Sequence, residues 1–100
     1  MIQSLELGGK TFHLRASMGA LRAAKTIHGI DMVNMGDDPL DIVRLAYHFA
    51  CAGAKTQGQE LTMSVEDFED LIIPADLPAI AETLAAIMKV DTKKKRQRQR

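Results

Sequence analysis

Apolar and polar positions alternate at the start of the chain, with the period of half-buried strands. The alternation runs over residues 2–7 and returns over residues 10–14. Gly8 and Gly9 separate the two runs, and glycine supplies the positive φ angles that a two-residue hairpin turn requires. The pattern therefore predicts an N-terminal β-hairpin that packs on the rest of the protein. The residues expected on its buried face are Leu5, Leu7, Phe12 and Leu14.

The widest apolar stripe lies in residues 38–57, which are predicted to form the central helix. Asp38 is a suitable N-cap, Pro39 fits the first helical position, and Asp41 lies where the helix dipole favours a carboxylate. The stripe consists of Leu40, Val43, Tyr47 and Ala50, broadened by Ile42, Leu45, Ala46 and Phe49. An arc this wide needs cover on more than one side, which is typical of the central helix of a small bundle.

Another helix is predicted over residues 18–28, between an N-cap at Ser17 and a C-terminal Gly29 suited to the left-handed conformation. Helical spacing puts Arg22 and Lys25 in water. Its expected buried side is Met18, Leu21, Ala24 and either Ile27 or His28. The connection over residues 30–37 contains apolar residues that either cover the core or meet a partner, since methionine side chains adapt to both.

Two further helices complete the pattern. Ser64, with Asp67 three residues later, resembles a capping box and predicts a helix over residues 65–72 that Pro74 ends. Asp76 is expected to cap the last helix. The predicted fold class is therefore mainly α, a small four-helix bundle with an N-terminal β-hairpin.

The zero formal net charge hides a division between an acidic body and a basic tail. All thirteen acidic residues lie in residues 1–92, against seven basic ones. The other six basic residues follow in a stretch with no apolar side chain: Lys93, Lys94, Lys95, Arg96, Arg98 and Arg100. We expect one helical domain over residues 1–92 and a disordered tail over residues 93–100. The tail is either an ordinary solvated terminus or a salt-dependent contact for nucleic-acid phosphates.

Few residues offer candidate chemistry. His48 and Cys51 lie three positions apart on the central helix, but two ligands are too few for structural zinc, and a cysteine among small residues is typical of packing. The acidic face of the third helix is either solvated or a patch for a basic partner. It consists of Glu66, Asp67, Glu69 and Asp70. No phosphate loop or hydrolase motif is present, so we predict a protein that is not an enzyme, with no catalytic residue, metal or cofactor.

Composition and hydropathy predict a cytoplasmic location and no membrane partner. The single cysteine, Cys51, cannot form an internal disulfide, which fits a reducing compartment. No apolar run approaches the roughly 20 residues that cross a bilayer, and the first residues show no basic-then-apolar signal pattern.

Four segments of the chain occur in a recognisable order. They are residues 10–15 (KTFHLR), 18–25 (MGALRAAK), 29–31 (GID) and, after a helix rich in leucine and alanine, 61–71 (LTMSVEDFEDL). This layout, which covers most of residues 1–90, resembles the small tail assembly chaperones of long-tailed bacteriophages and prophages, including the related protein of gene-transfer particles. In that family a small, mainly helical protein is made just before the tape-measure protein. It is thought to keep that protein soluble while tail-tube subunits polymerise, and it is absent from the finished virion.

The resemblance implies a tape-measure protein as partner, with the tail-tube protein as a second candidate and homo-oligomerisation left open. It also implies a location in the host cytoplasm. The residues expected to bind the client are Met32, Val33, Met35 and Tyr47. Two alternatives remain: a small structural tail or head–tail joining subunit, and an accessory protein that binds nucleic acid through its basic tail. Nucleic acid is the weaker one, because the tail has no aromatic residue for stacking and the body is acidic.

Overall fold

The structure is a computed structural model that describes residues 2–30 and 38–98, with side chains described for residues 3–30 and 38–87. Its elements are β1 (Ile2–Leu7), β2 (Lys10–Arg15), α1 (Met18–His28), α2 (Pro39–Thr56), α3 (Val65–Leu71) and α4 (Leu77–Arg98), with a 3-10 turn at Pro74–Asp76 before α4. The described part is a compact, mainly helical domain of four helices with an N-terminal two-stranded antiparallel hairpin. The predicted fold class is confirmed.

The hairpin has the predicted turn and the predicted buried face. Gly8 and Gly9 take positive φ angles of 57° and 79°, as a type I′ turn requires, and Leu5 lies opposite Phe12 in the antiparallel register. All four side chains expected on one face are buried: Leu5, Leu7, Phe12 and Leu14. That face packs on α2 and α4, which supply the cover a lone hairpin lacks.

Helix α2 is the centre of the domain, as its wide stripe predicts. The Asp38 side chain accepts a hydrogen bond from the Leu40 N–H, and Pro39 opens the helix. The helix contacts β2, α1, α3 and α4, and for that reason its buried residues lie on several sides. They are Val43, Leu45, Ala46, His48, Phe49, Ala50 and Gly53.

Helix α1 has the predicted ends, but the prediction of its buried side is wrong in part. Ser17 accepts a hydrogen bond from the Ala20 N–H, and Gly29 takes the left-handed conformation. Met18, however, is 78% exposed. Of the two alternatives, His28 is half-buried, whereas Ile27 is 65% exposed. Ala24 is buried as predicted, and Ala20 is buried as well, because small side chains permit closer contact between α1 and α2 than methionine or isoleucine would.

The backbone of α4 runs to Arg98, beyond the boundary predicted at residue 92. Lys, Arg and Gln are good helix formers, so the composition of residues 93–98 is compatible with this continuation. The predicted disorder of the basic tail stays a prediction. Over its first half, α4 buries Ile80, Leu84 and Ile87 at helical spacing. Within the described residues, no helix combines the length and apolar character needed to cross a membrane.

Candidate functional site

An apolar groove runs along α1 where this helix meets α2, with a volume of about 370 Å³. We call it the α1 groove, and it is lined by Met18, Leu21, Ala24, Ile30 and Leu45, together with Arg22 and Lys25. Its deepest residues, Ala24 and Leu45, are each 1% exposed, whereas Met18 at the edge is 78% exposed. The groove therefore combines a fixed apolar floor with a flexible apolar side chain at its margin.

The end of α1 positions Ile30 in this groove. Gly29, with a φ of 68°, reverses the chain direction, and the Ile30 N–H donates to the Ala24 carbonyl oxygen at 3.2 Å. The Gly29 N–H donates to the Lys25 carbonyl oxygen at 2.9 Å, as in the αL type of helix ending, and a hydrophobic contact just after the helix commonly accompanies such an ending. Ile30 is accordingly 4% exposed, and it is the first residue of the connection over residues 30–37, which contains Met32 and Met35 and is called the Met-rich connection below.

A second apolar groove, of about 160 Å³, lies where the start of α2 meets the end of α3 and the start of α4. We call it the α2–α4 groove, and its apolar lining is Pro39, Leu40, Val43, Ile72, Ile73, Pro74 and Leu77. Leu40 and Ile73 are 50% and 58% exposed, so it too offers large apolar side chains to a partner.

Three of the four predicted client-binding residues, Met32, Val33 and Met35, lie outside the described residues. The chain enters this connection from Ile30, in the α1 groove, and leaves it at Asp38, next to Pro39 of the α2–α4 groove. Both grooves therefore adjoin an end of the connection that the sequence singles out.

Tyr47, the fourth predicted client-binding residue, is half-buried against α3. Its hydroxyl donates a hydrogen bond of 2.8 Å to the Met63 carbonyl oxygen, and its ring meets the Phe68 ring edge-on at 5.5 Å. Burial, with smaller contributions from Cys51 and Glu66, raises the pKa of Tyr47 to about 12. Through its hydrogen bond to Met63, Tyr47 links α2 to the connection between α2 and α3. Its role in client binding stays a prediction.

The predicted acidic patch lies on α3. Glu66, Asp67 and Asp70 are exposed, whereas Glu69 is half-buried and accepts a hydrogen bond of 2.9 Å from Arg44 Nε of α2. Because both partners are partly exposed, we expect this ion pair to contribute at most about 1 kcal/mol to stability. The patch lies beside the α2–α4 groove, which Glu69 also lines.

Two histidines meet between α1 and α2. His28 Nδ1 and His48 Nε2 are 3.0 Å apart, and His48 is only 6% exposed. One neutral imidazole can donate to the other at this distance, but two imidazolium ions have no acceptor to share. Burial, and then the charge of His28, lowers the pKa of His48.

This pair predicts a loss of stability in mild acid. Below the ordinary histidine pKa of about 6.5 the unfolded chain takes up a proton that folded His48 resists. The free energy of unfolding should therefore fall as the pH is lowered from about 7 towards 5. Urea melts across this range measure it. His48→Gln should flatten the slope, and a slope that survives this substitution would contradict the assignment.

Cys51 sits one turn after His48 and shows no sign of activation. Burial raises the pKa of its thiol, although a hydrogen bond with Tyr47 and the charge of Lys55 act in the opposite direction. A protonated thiol is a weak nucleophile and a poor metal ligand. Among the described residues, no three potential ligands come close enough to hold a metal ion. The absence of catalysis, metal and cofactor stays a prediction.

Sequence reasoning missed the α1 groove, since it assigned Met18 to the core and Arg22 and Lys25 to bulk solvent. One signal was available: residues 7–30 contain four basic residues and no acidic one, unlike the rest of the body. A basic stretch with exposed apolar neighbours is a candidate interaction surface.

No family model, no curated protein and no solved structure matches this chain.

Proposed function

We propose that this protein is a tail assembly chaperone of a long-tailed phage or prophage, which binds the tape-measure protein and keeps it soluble during tail-tube assembly. The proposal rests on the resemblance of residues 1–90 to that family. The observation that supports it best is the α1 groove, an open apolar surface that leads directly into the Met-rich connection. A cytoplasmic location and absence from the mature virion belong to the same proposal.

The groove has the properties that such a client requires. A tape-measure protein is a long helical chain, and a helix binds to a groove by inserting apolar side chains spaced three or four residues apart. Met18, with most of its surface exposed, can adapt its shape to different client side chains. A groove of about 370 Å³ accepts only a few side chains at a time, which favours weak and reversible binding without ATP.

Co-expression with the tape-measure protein from the same tail gene cluster tests the proposal. We expect the tape-measure protein to be soluble with the chaperone and to aggregate without it. Replacing Met32, Val33 and Met35 by Ser together should remove much of this effect while the variant still melts cooperatively. The matched control is Ile27→Ser, which changes an exposed apolar residue outside the groove lining. Equal tape-measure solubility with and without the chaperone would exclude the proposed function.

A further inference from the structure

Charge is distributed unevenly along the chain, and the α1 groove lies in its basic part. Residues 7–30, which form the turn, β2 and α1, contain Lys10, Arg15, Arg22 and Lys25 and no acidic residue. Residues 31–92 contain twelve acidic and only three basic residues. The groove is therefore the place where exposed apolar surface meets positive charge on a protein whose body is acidic.

Two cations stand at the margin of the groove without a partner among the described residues. Arg22 and Lys25 are three positions apart on α1, both are exposed, and both line the groove. Neither forms an ion pair in the described part of the chain, whereas Glu69 of the α2–α4 groove is already paired with Arg44. Because these two side chains are positively charged, a ligand that carries negative charge beside its apolar surface should bind there more tightly than one that carries positive charge.

We propose that the α1 groove binds an acidic amphipathic helix, whose apolar side chains lie on the groove floor and whose Asp or Glu side chains pair with Arg22 and Lys25. This inference rests on the proposed function, in that it takes the partner to be helical, and it adds the chemistry by which the client segment is chosen. Apolar contact supplies the affinity, and charge pairing supplies orientation and discrimination against basic helices.

Other occupants fit the groove less well. Nucleic acid would leave the apolar floor of Leu21, Ile30 and Leu45 without a counterpart, and no aromatic side chain lines the groove for base stacking. A second copy of the chain has an acidic amphipathic helix, α3, but its Phe68 is fully buried in its own core and is not free to bind. A helix from a different protein satisfies both the charge and the apolar floor.

The test uses two labelled helical peptides and the full chain. One peptide presents Leu at helical spacing flanked by Glu, and its matched control has Lys in place of every Glu. Fluorescence anisotropy at low salt should show at least about tenfold tighter binding of the acidic peptide, a difference expected from one or two charge pairs. Raising the salt concentration should reduce this preference, because exposed charges are screened.

Four variants locate the binding surface. The double change Arg22→Glu and Lys25→Glu should abolish or invert the peptide preference. Its charge-matched control, Lys10→Glu with Lys55→Glu, changes exposed lysines that do not line the α1 groove and should preserve the preference. Met18→Ser should weaken the binding of both peptides, whereas Ile27→Ser should leave the binding of both unchanged.

Three results would overturn the inference. The first is equal affinity for the two peptides. The second is a preference that survives the Arg22 and Lys25 double change. The third is evidence for a different occupant of the groove. Either duplex DNA would displace the acidic peptide, or the protein would form a dimer that Met18→Ser dissociates. If the wild type keeps the tape-measure protein soluble but shows no peptide preference, only this inference fails. A clear preference without tape-measure solubilisation would exclude the proposed function and leave the groove assignment standing.

Discussion

Replacing Gly53 with alanine is expected to destabilise the protein severely, although alanine is the better helix former. Gly53 lies on the side of α2 that crosses β2, and a Cβ atom there would overlap the His13 carbonyl oxygen and lie 2.5 Å from its carbonyl carbon. Non-bonded carbon atoms stay about 3.5–4.0 Å apart. The obstacle is strand backbone, which cannot rotate away as a flexible side chain can. We expect a loss of more than about 3 kcal/mol, at or above the usual range for overpacking.

The matched control is the same substitution in α1. A Cβ atom on Gly19 would meet only Ser17 Oγ, at 3.9 Å. Gly19→Ala should therefore be neutral or raise stability by up to about 1 kcal/mol, the intrinsic helix preference of alanine over glycine. Thermal melts of the two variants should move in opposite directions from wild type. A Gly53→Ala variant that melts at or above the wild-type temperature would show that α2 and β2 do not approach this closely.

Local signals carried much of the prediction of the fold. The Gly8–Gly9 turn and the caps at Ser17, Asp38 and Ser64 each involve residues within a few positions of one another, and the structure has all of them. Such features depend on short-range hydrogen bonds and φ angles, which the sequence expresses directly.

Features that depend on how two elements meet were not predictable in the same way. Periodicity predicted a buried side of α1 that includes Met18, Leu21 and Ala24, but it could not show how this helix is rotated about its axis against α2. The structure buries Ala20 and Ala24 and exposes Met18 and Ile27. The approach of Gly53 to His13 joins residues forty positions apart, and a glycine in a helical pattern gives no sign of its neighbour. The α1 groove could not be predicted for the same reason, because it forms where the orientation of α1 against α2 leaves Met18 exposed.

The proposed role requires apolar surface on the outside and a sound core within, and the chain separates the two. Among the residues with described side chains, the exposed large apolar ones are Met18, Ile27, Leu40 and Ile73. The largest fully buried side chains are Phe49, Phe68, Leu7, Leu14, Leu45 and Ile80, none of which belongs to the exposed set. Substitution of Met18, which is exposed and lines the α1 groove, should therefore change binding with little effect on folding. Substitution of Phe49 or Phe68, which are buried and line neither groove, should do the reverse.

Phe49→Ala should show the second half of that separation. Phe49 is 0% exposed on α2 and belongs to the core that α2 shares with the hairpin and the other helices. Truncating a buried phenylalanine costs about 3–5 kcal/mol, because the surroundings close only part of the cavity. A domain of this size has roughly 5–15 kcal/mol of stability in total.

In a thermal melt, Phe49→Ala should lower the midpoint by more than about 12 °C, since each kcal/mol corresponds to roughly 4–8 °C in a domain of this size. Leu40→Ala, on the same helix, is the matched control: Leu40 is 50% exposed, so less of its surface is removed from water and the midpoint should shift by only a few degrees. Similar melts for the two variants would contradict the placement of Phe49 at the centre of the bundle. A large drop in the midpoint for Phe49→Ala alone would show that the stability of the domain depends on the buried side of α2. The exposed first turn of α2, which contains Leu40, would then be available to a partner.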